Sequence, residues 1–335
     1  MIIVTGGAGF IGSALIWEMN RQGITDILVV DSLKRSPKWK NLNNLVFQDY
    51  IDKTKFLEYL DRNAFGPSIS GILHMGACSS TTEMDLNYLV ENNFEFSKHL
   101  AIRCTQNNWR MVYASSAATY GDGQASFSDR ADIRHFKPLN PYGFSKQLFD
   151  AWADRHQLLD RITGLKFFNV YGPNEYHKET MRSVVIKTYQ SIRETGRMEL
   201  FQSHRPDYHD GEQARDFIYI KDVVRLTLSI FHTPGLCGLY NIGTGQSRTF
   251  RDLALAVFAA LQLPPAVSFI PMPESIRSQY QYYTQADIYK LTESFRNCRL
   301  DFPEIPSMEE RIRDYICHYA THEDPYLGNS SEANP

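Results

Sequence analysis

The opening stretch, MIIVTGGAGFIGS, constrains this chain more than any other part of it. A β-branched run, Ile2-Ile3-Val4, feeds glycines at Gly6, Gly7, Gly9 and Gly12, and helix-forming residues follow. That order predicts a buried strand, a tight turn and a helix whose first amides point outward. Gly6, Gly9 and Gly12 would let a pyrophosphate approach the backbone, and a helix N-terminus favours its negative charge. Phe10 and Ile11, where the helix starts, belong to the same contact surface. A glycine-rich loop alone is weak evidence, but here a second apolar run, Ile27–Val30, ends at Asp31. About twenty residues from loop to acid is the spacing of the dinucleotide-binding unit. The alternative is a glycine-rich strand-to-helix turn that binds nothing.

Composition leaves room for this reading and removes others. With 335 residues, 43% hydrophobic and 22% charged, the chain can form one large α/β unit or two lobes sharing a cleft. A net charge of −3 gives no reason to expect nucleic acid or a membrane as partner. Cys78, Cys104, Cys237, Cys298 and Cys317 form no CxxC pair, which predicts reduced thiols and neither disulfides nor a zinc site. With no basic leader and no apolar run approaching ~18 residues, the expectation is a soluble, cytoplasmic protein.

Asp31 could accept hydrogen bonds from an adenosine ribose, as NAD sites require. Ser32 and the basic loop Lys34, Arg35, Lys38 and Lys40 could instead hold the 2′-phosphate of NADP, and the loop's position favours NADP with NAD tolerated. Lys53 in the next connection could reach that phosphate or lie on the surface. A strand at Gly71–Met75 runs into GACSSTT, so Met75, Gly76, Ala77, Cys78 and Ser79 would pass close to the dinucleotide. Asn92, on the following long helix, faces either the cofactor or a neighbouring loop.

The strand Met111–Ala114 delivers Ser115, Ser116 and Thr119 at its C-terminal end, where ligands sit in open α/β sheets. A helix then opens at Pro141, with Tyr142 and Lys146 one above the other on a single face. A lysine ammonium near a phenol lowers the phenol's pKa, which would make Tyr142 a usable acid or base near neutral pH. Further on, Arg215 suits a pyrophosphate clamp, since a guanidinium fork matches phosphate oxygens. His204, Asp207, His209 and Asp210 share a loop with Pro206 and Gly211 and read as solvated, so no metal is expected.

The segments GGAGFIG, SSAATYG and YGFSK resemble the extended short-chain dehydrogenase/reductase superfamily, with its nucleotide-sugar epimerases and dehydratases. ITDILVVD, MGACSSTTE, HKETM after NVYGP and YTQAD narrow the resemblance to the ADP-L-glycero-D-manno-heptose 6-epimerases, over nearly the whole chain. The resemblance implies a Rossmann-type doubly wound parallel sheet, residues 1–168 and 214–238, holding NADP. It implies a smaller mixed α/β substrate lobe, residues 169–213 and 239–320; the tail 321–335 reads as disordered. Ser116 would hydrogen-bond the reacting oxygen, Tyr142 act as acid/base, and Lys146 tune Tyr142 while binding the nicotinamide ribose. Lys178 would be a second acid/base from the other lobe, also touching the cofactor, as would Val170. Substrate contacts would come from Asn169, Thr180, Lys187 (where the family usually has histidine), Phe201, Gln202, Ser203, His204, Arg215 and Tyr280.

The activity implied is inversion of C6 of ADP-D-glycero-D-manno-heptose through transient oxidation, supplying lipopolysaccharide core heptose, in a homo-oligomer that the family suggests is a pentamer. Two rivals compete with it: another sugar-nucleotide epimerase or dehydratase, and a non-catalytic NADP-sensing protein. Ala117, Ala118 and Thr119 stand where dehydratases carry an acid pair, and the intact Ser116, Tyr142 and Lys146 set argues against a mere sensor.

Overall fold

The computed structural model describes residues 1–124, 126–277 and 280–329. Twelve strands are present among them. In chain order β1 to β7 are Ile2–Thr5, Ile27–Asp31, Asp49–Asp52, Gly71–His74, Arg110–Ser116, Thr163–Phe167 and Asn169–Tyr171. β8 to β12 are Met198–Phe201, Ala214–Tyr219, Gly238–Ile242, Ser247–Thr249 and Val267–Ile270. Seven form one sheet in the order β10-β6-β5-β4-β1-β2-β3, every pairing parallel. Helices cover both faces, so β1, β2, β4 and β6 are buried along their whole length. Strands enclosed in this way read as largely apolar runs in the sequence, as in β1 and β2, whereas β6 also buries Thr163 and Lys166. The doubly wound α/β fold is therefore as expected.

A mixed three-stranded sheet, β11-β9-β7, and a parallel pair, β12-β8, form the smaller part. The lobe boundaries differ from the expected ones at two strands. β10 lies at the edge of the large sheet beside β6, although residues from 239 onward were assigned to the substrate lobe. β9 lies in the mixed sheet, although 214–238 were assigned to the dinucleotide domain. Neither pairing partner is near in sequence, so local pattern carries no signal for either.

The tail also differs from expectation. The Tyr176 hydroxyl donates to Pro325 O at 3.0 Å, and the amide of Leu327 donates to Asn174 Oδ1 at 3.0 Å. Leu327 is fully buried, because an apolar side chain with somewhere to pack outweighs a polar local composition. Residues 330–335 lie outside the described residues. No helix among the described residues is long and apolar enough to cross a membrane.

β1 and β4 are neighbours although β2 and β3 intervene in sequence, so the winding direction reverses between them. A crevice at the carboxyl ends of the strands opens at such a reversal. There the turn after β1 and the turn after β4 meet backbone to backbone. Gly6 has φ +66, and a methyl group on it would come within 2.6 Å of the Gly76 nitrogen. Gly12 is as tightly placed, since a methyl group there would overlap Gly6 O. Gly6→Ala combines a left-handed backbone with this overlap, so it is expected to destabilise the fold by about 1–3 kcal/mol. The urea unfolding midpoint reads the loss.

Candidate active site

The helix Phe10–Arg21 starts directly from this crevice with Gly9 as its cap, and no side chain caps it. Its first amides are thus available to an anion. Asp31, at the end of β2, accepts the Ala8 amide on Oδ2 at 2.9 Å and the Ser32 amide on Oδ1 at 2.6 Å. Lys38 pairs with the same Oδ1 at 2.5 Å. Lys53, held by Asn92 Oδ1, stands close enough to feel Asp31 and Lys34; burial is the main cause of its lowered pKa. Asp31, Ser32, Lys38, Lys53 and Asn92 therefore gather beside the glycine loop.

The turn after β4, Met75 to Ser79, is held from the opposite side. Asn93 accepts the Cys78 amide at 2.8 Å, donates to Cys78 O at 3.0 Å, and donates to Ser145 Oγ at 2.9 Å. One fully buried amide thus ties the turn after β4 to the helix Pro141–Arg155. Sequence reading favoured its neighbour Asn92. A π-type turn at Val90–Glu95 interrupts this helical segment and rotates Asn93 inward, a common device near functional sites. Below the turn, the His74 ring bonds Thr5 Oγ1 at 2.6 Å and Ser97 Oγ at 2.8 Å, and burial drives its pKa down to about 3.

Ser116 ends β5, and its hydroxyl accepts the Ala118 amide at 3.1 Å. Tyr142 lies opposite, in the first turn of the Pro141–Arg155 helix, whose cap Asn140 accepts the Gly143 amide at 2.7 Å. Burial raises the Tyr142 pKa above 10.0, while the Ser116 hydroxyl acts the other way. This is opposite to the sequence expectation of a lowered value. The reason is the depth of burial of the phenol; Lys146 donates to Ala114 O at 2.7 Å, and burial brings its own pKa down to about 8.

The segment after β7 closes over the glycine loop. Asn41 Nδ2 donates to Ala8 O at 2.9 Å and to Asn174 O at 3.1 Å, and lies 3.3 Å from His177 Nδ1. Lys178 Nζ sits 5.4 Å over the Phe10 ring, the residue that opens the first helix. Burial lowers the pKa of Lys178, the neighbouring Lys187 adds to this, and Glu175 opposes it. Glu175 is itself buried and accepts from Ser183 Oγ at 2.7 Å, the Gly172 amide at 3.2 Å and Tyr315 OH at 3.1 Å. Lys187 donates to Thr180 O at 2.5 Å, so these two candidates touch. Asn169 is exposed and Val170 half-buried on β7.

The remaining substrate candidates form an aromatic cluster. Tyr280 packs against Phe201 at 6.4 Å and Tyr282 at 5.5 Å, and the Arg215 guanidinium lies between Tyr280 and Phe250. His204 Nδ1 bonds Tyr282 OH at 2.8 Å, Ser203 N donates to Asp210, and Gln202 N donates to Ile270 O. Gln281 joins Arg215 to the strand end, accepting from the guanidinium through its carbonyl and donating to Gly121 O. Asn41, Asn93, Tyr282 and Gln281 were not singled out from the sequence. A separate cavity of about 240 Å³ lies between β9 and the helix Met308–Tyr315, and no candidate residue lines it.

A doubly wound parallel sheet with a glycine loop at the carboxyl ends of its strands is a Rossmann-like α/β fold of the dinucleotide-binding class. The chain belongs to the NAD dependent epimerase/dehydratase family, whose model matches residues 2–243. It is 48% identical over 328 residues to the ADP-L-glycero-D-manno-heptose-6-epimerase of Nitratidesulfovibrio vulgaris (strain DP4), covering 98% of this chain and 100% of that one. The enzyme of the same name from Fusobacterium nucleatum subsp. nucleatum is 44% identical, with coverage of 98% and 100%. Among solved structures, the Helicobacter pylori ADP-L-glycero-D-manno-heptose-6-epimerase superposes with a TM-score of 0.78 at 26% identity, over 95% of both chains.

Two outcomes follow from the buried polar groups. Asn93→Ala strands partners at Cys78 and Ser145, so it should cost about 1–3 kcal/mol, clearly more than Asn92→Ala. Equilibrium urea unfolding of both variants tests this. His74 protonates near 3 when folded and near 6.5 when unfolded, so it stays neutral in the fold while the unfolded chain gains a proton. Its contribution to stability is thus present above 6.5 and is lost as pH falls towards 3. The stability of His74→Gln should depend less on pH between about 6 and 4.5 than that of the wild type, in thermal melts across that range.

Proposed function

We propose that this chain inverts C6 of ADP-D-glycero-D-manno-heptose, giving the L-glycero epimer, with NADP bound at the glycine loop. The observation that carries this reading is the placement of two proton-transfer groups on separate segments: Tyr142 beside Ser116, and Lys178 over Phe10. Returning hydride to the other face of C6 puts the C6 oxygen in two positions, each needing a group that moves its proton, and a single helix face serves one. The near-full-length similarity to the heptose epimerases supports the choice of substrate. The glycine cradle, the uncapped first helix and the Asp31 corner fit a dinucleotide; Lys38 and Lys53 beside Asp31 favour a 2′-phosphate.

A bound nicotinamide would accept hydride from C6 and return it. The chain's own residues would hold the sugar and move the protons. Lys178, with its lowered pKa, is suited to take the C6 hydroxyl proton. Tyr142, with its raised pKa, retains a proton at neutral pH and is suited to supply it after the aldehyde has turned about C5–C6. Ser116 would hydrogen-bond the same oxygen, and the charge left on Tyr142 would face Lys146. Exchange with water restores both groups. Arg215 and the Phe201–Tyr280 cluster would hold the nucleotide end.

Tyr142→Phe and Lys178→Met should each lower kcat on ADP-D-glycero-D-manno-heptose by about 10²–10⁴-fold. Mass spectrometry of the nucleotide released on denaturation should show NADP. Normal turnover by Lys178→Met would refute the two-residue assignment, and turnover of UDP-galactose or dTDP-glucose in place of the heptose would refute the substrate.

A further inference from the structure

We propose that Asp150 is a positioning residue for the Tyr142–Lys146 pair, supplying the buried negative charge that Lys146 faces and fixing their helix to the strand end bearing Ser116. The inference rests on the roles of Tyr142 and Lys146 given above. Asp150 lies on the same helix, one turn beyond Lys146 and two beyond Tyr142. It is completely enclosed, yet both of its oxygens are bonded. Oδ1 accepts from Tyr113 OH at 2.9 Å; Oδ2 accepts from Ser115 Oγ at 2.6 Å and from Lys166 Nζ at 2.7 Å.

Each of those partners sits on the strand side of the site. Tyr113 and Ser115 belong to β5, whose last residue is Ser116. Lys166, on β6 and equally enclosed, also donates to Thr119 Oγ1 at 2.7 Å. Thr119 in turn donates to Ser116 O at 2.8 Å. A continuous chain of bonds therefore runs from the helix of Tyr142 through Asp150, Lys166 and Thr119 to Ser116. The Lys166 ammonium lies over the rings of Tyr120 at 5.1 Å and Phe136 at 5.4 Å, which seals the pair from water. Two hidden charges cost more than an apolar pair of the same size, so what they position is the reason to look for.

The groups around Lys146 show what the charge does. From its own helix Asp150 acts on it, and from the turn after β4, Cys78; on β4, His74 feels its charge in turn. β5 contributes the carbonyl of Ala114, and β6 contributes Lys166, whose charge Asp150 already pairs. His74 is uncharged in this range, its pKa lying near 3. Asp150 is thus the carboxylate that counters the burial pulling Lys146 down to about 8. Without it Lys146 would lose its proton at lower pH, and the alkaline limb of activity would move with it.

The test compares the wild type with Asp150→Asn, Asp150→Glu and the double variant Asp150→Asn/Lys166→Met. The double variant removes both charges, so it keeps the question open to measurement if the single one fails to fold. Acetic anhydride labels an amine only when it is neutral, so labelling at a series of pH values, read by peptide mass spectrometry, gives the midpoint of Lys146. The wild-type midpoint is expected near 8. Asp150→Asn should fall at least about one unit lower, the double variant should fall by less because the two removed charges partly cancel, and Asp150→Glu should stay with the wild type. In step, kcat/KM on the ADP-heptose at pH 8 should drop about fivefold or more in Asp150→Asn, with a smaller loss near pH 6.5.

A midpoint unchanged in folded Asp150→Asn, or in the double variant, would overturn the inference. Labelling needs no substrate. Shifted midpoints in a protein that does not epimerise the heptose would therefore sink the functional reading and leave the role of Asp150 standing.

Discussion

The structure depends on the contact between two backbone turns at the ends of β1 and β4. Parallel pairing sets Thr5 opposite His74, and just beyond them Gly6 passes the Met75–Gly76 backbone with no room for a side chain on Gly6. Thr5 makes the contact specific: its hydroxyl bonds His74 and also accepts the Gly76 amide at 3.2 Å. The glycine loop is therefore shaped by the next turn as much as by its own sequence. Everything assembled around the crevice is referenced to this seam.

Three further segments are fastened to it by buried asparagines. Asn41 joins the glycine loop to the segment bearing Lys178, Asn93 joins the turn after β4 to the helix bearing Tyr142, and Asn174 donates to Ser13 Oγ in the first helix. An amide carries donors and an acceptor on one short, rigid arm, so it can bridge loops whose backbone groups lack regular partners. Tyr142 and Lys178 share one feature of environment. Enclosure acts on both, and it favours the neutral form of each: a protonated phenol at Tyr142 and a free amine at Lys178.

The parts legible from sequence were those written in local spacing. The glycine loop, the acid at the end of β2, the strand-end Ser116 and the stacked Tyr142 and Lys146 all follow from periods of one turn or one strand–helix unit. What remained hidden was set at a distance or by a break in period. The π-type turn moved the inward position from Asn92 to Asn93. The edge strand β10 could be assigned only through its partner β6, far back in the chain. A tyrosine–lysine pair in sequence predicts a lowered phenol pKa, but how deeply the phenol is enclosed is a property of the packed molecule. Asp150 and Lys166 looked like ordinary charged residues until the fold closed around them.

The anchoring of Leu327 to Asn174 has a practical side. Asn174 reaches Ser13 with its amide nitrogen and Leu327 with its oxygen, so the chain's last described turn is clasped to the first helix through a single side chain. A purification tag is therefore better joined through a flexible spacer, which leaves the clasp on the first helix undisturbed.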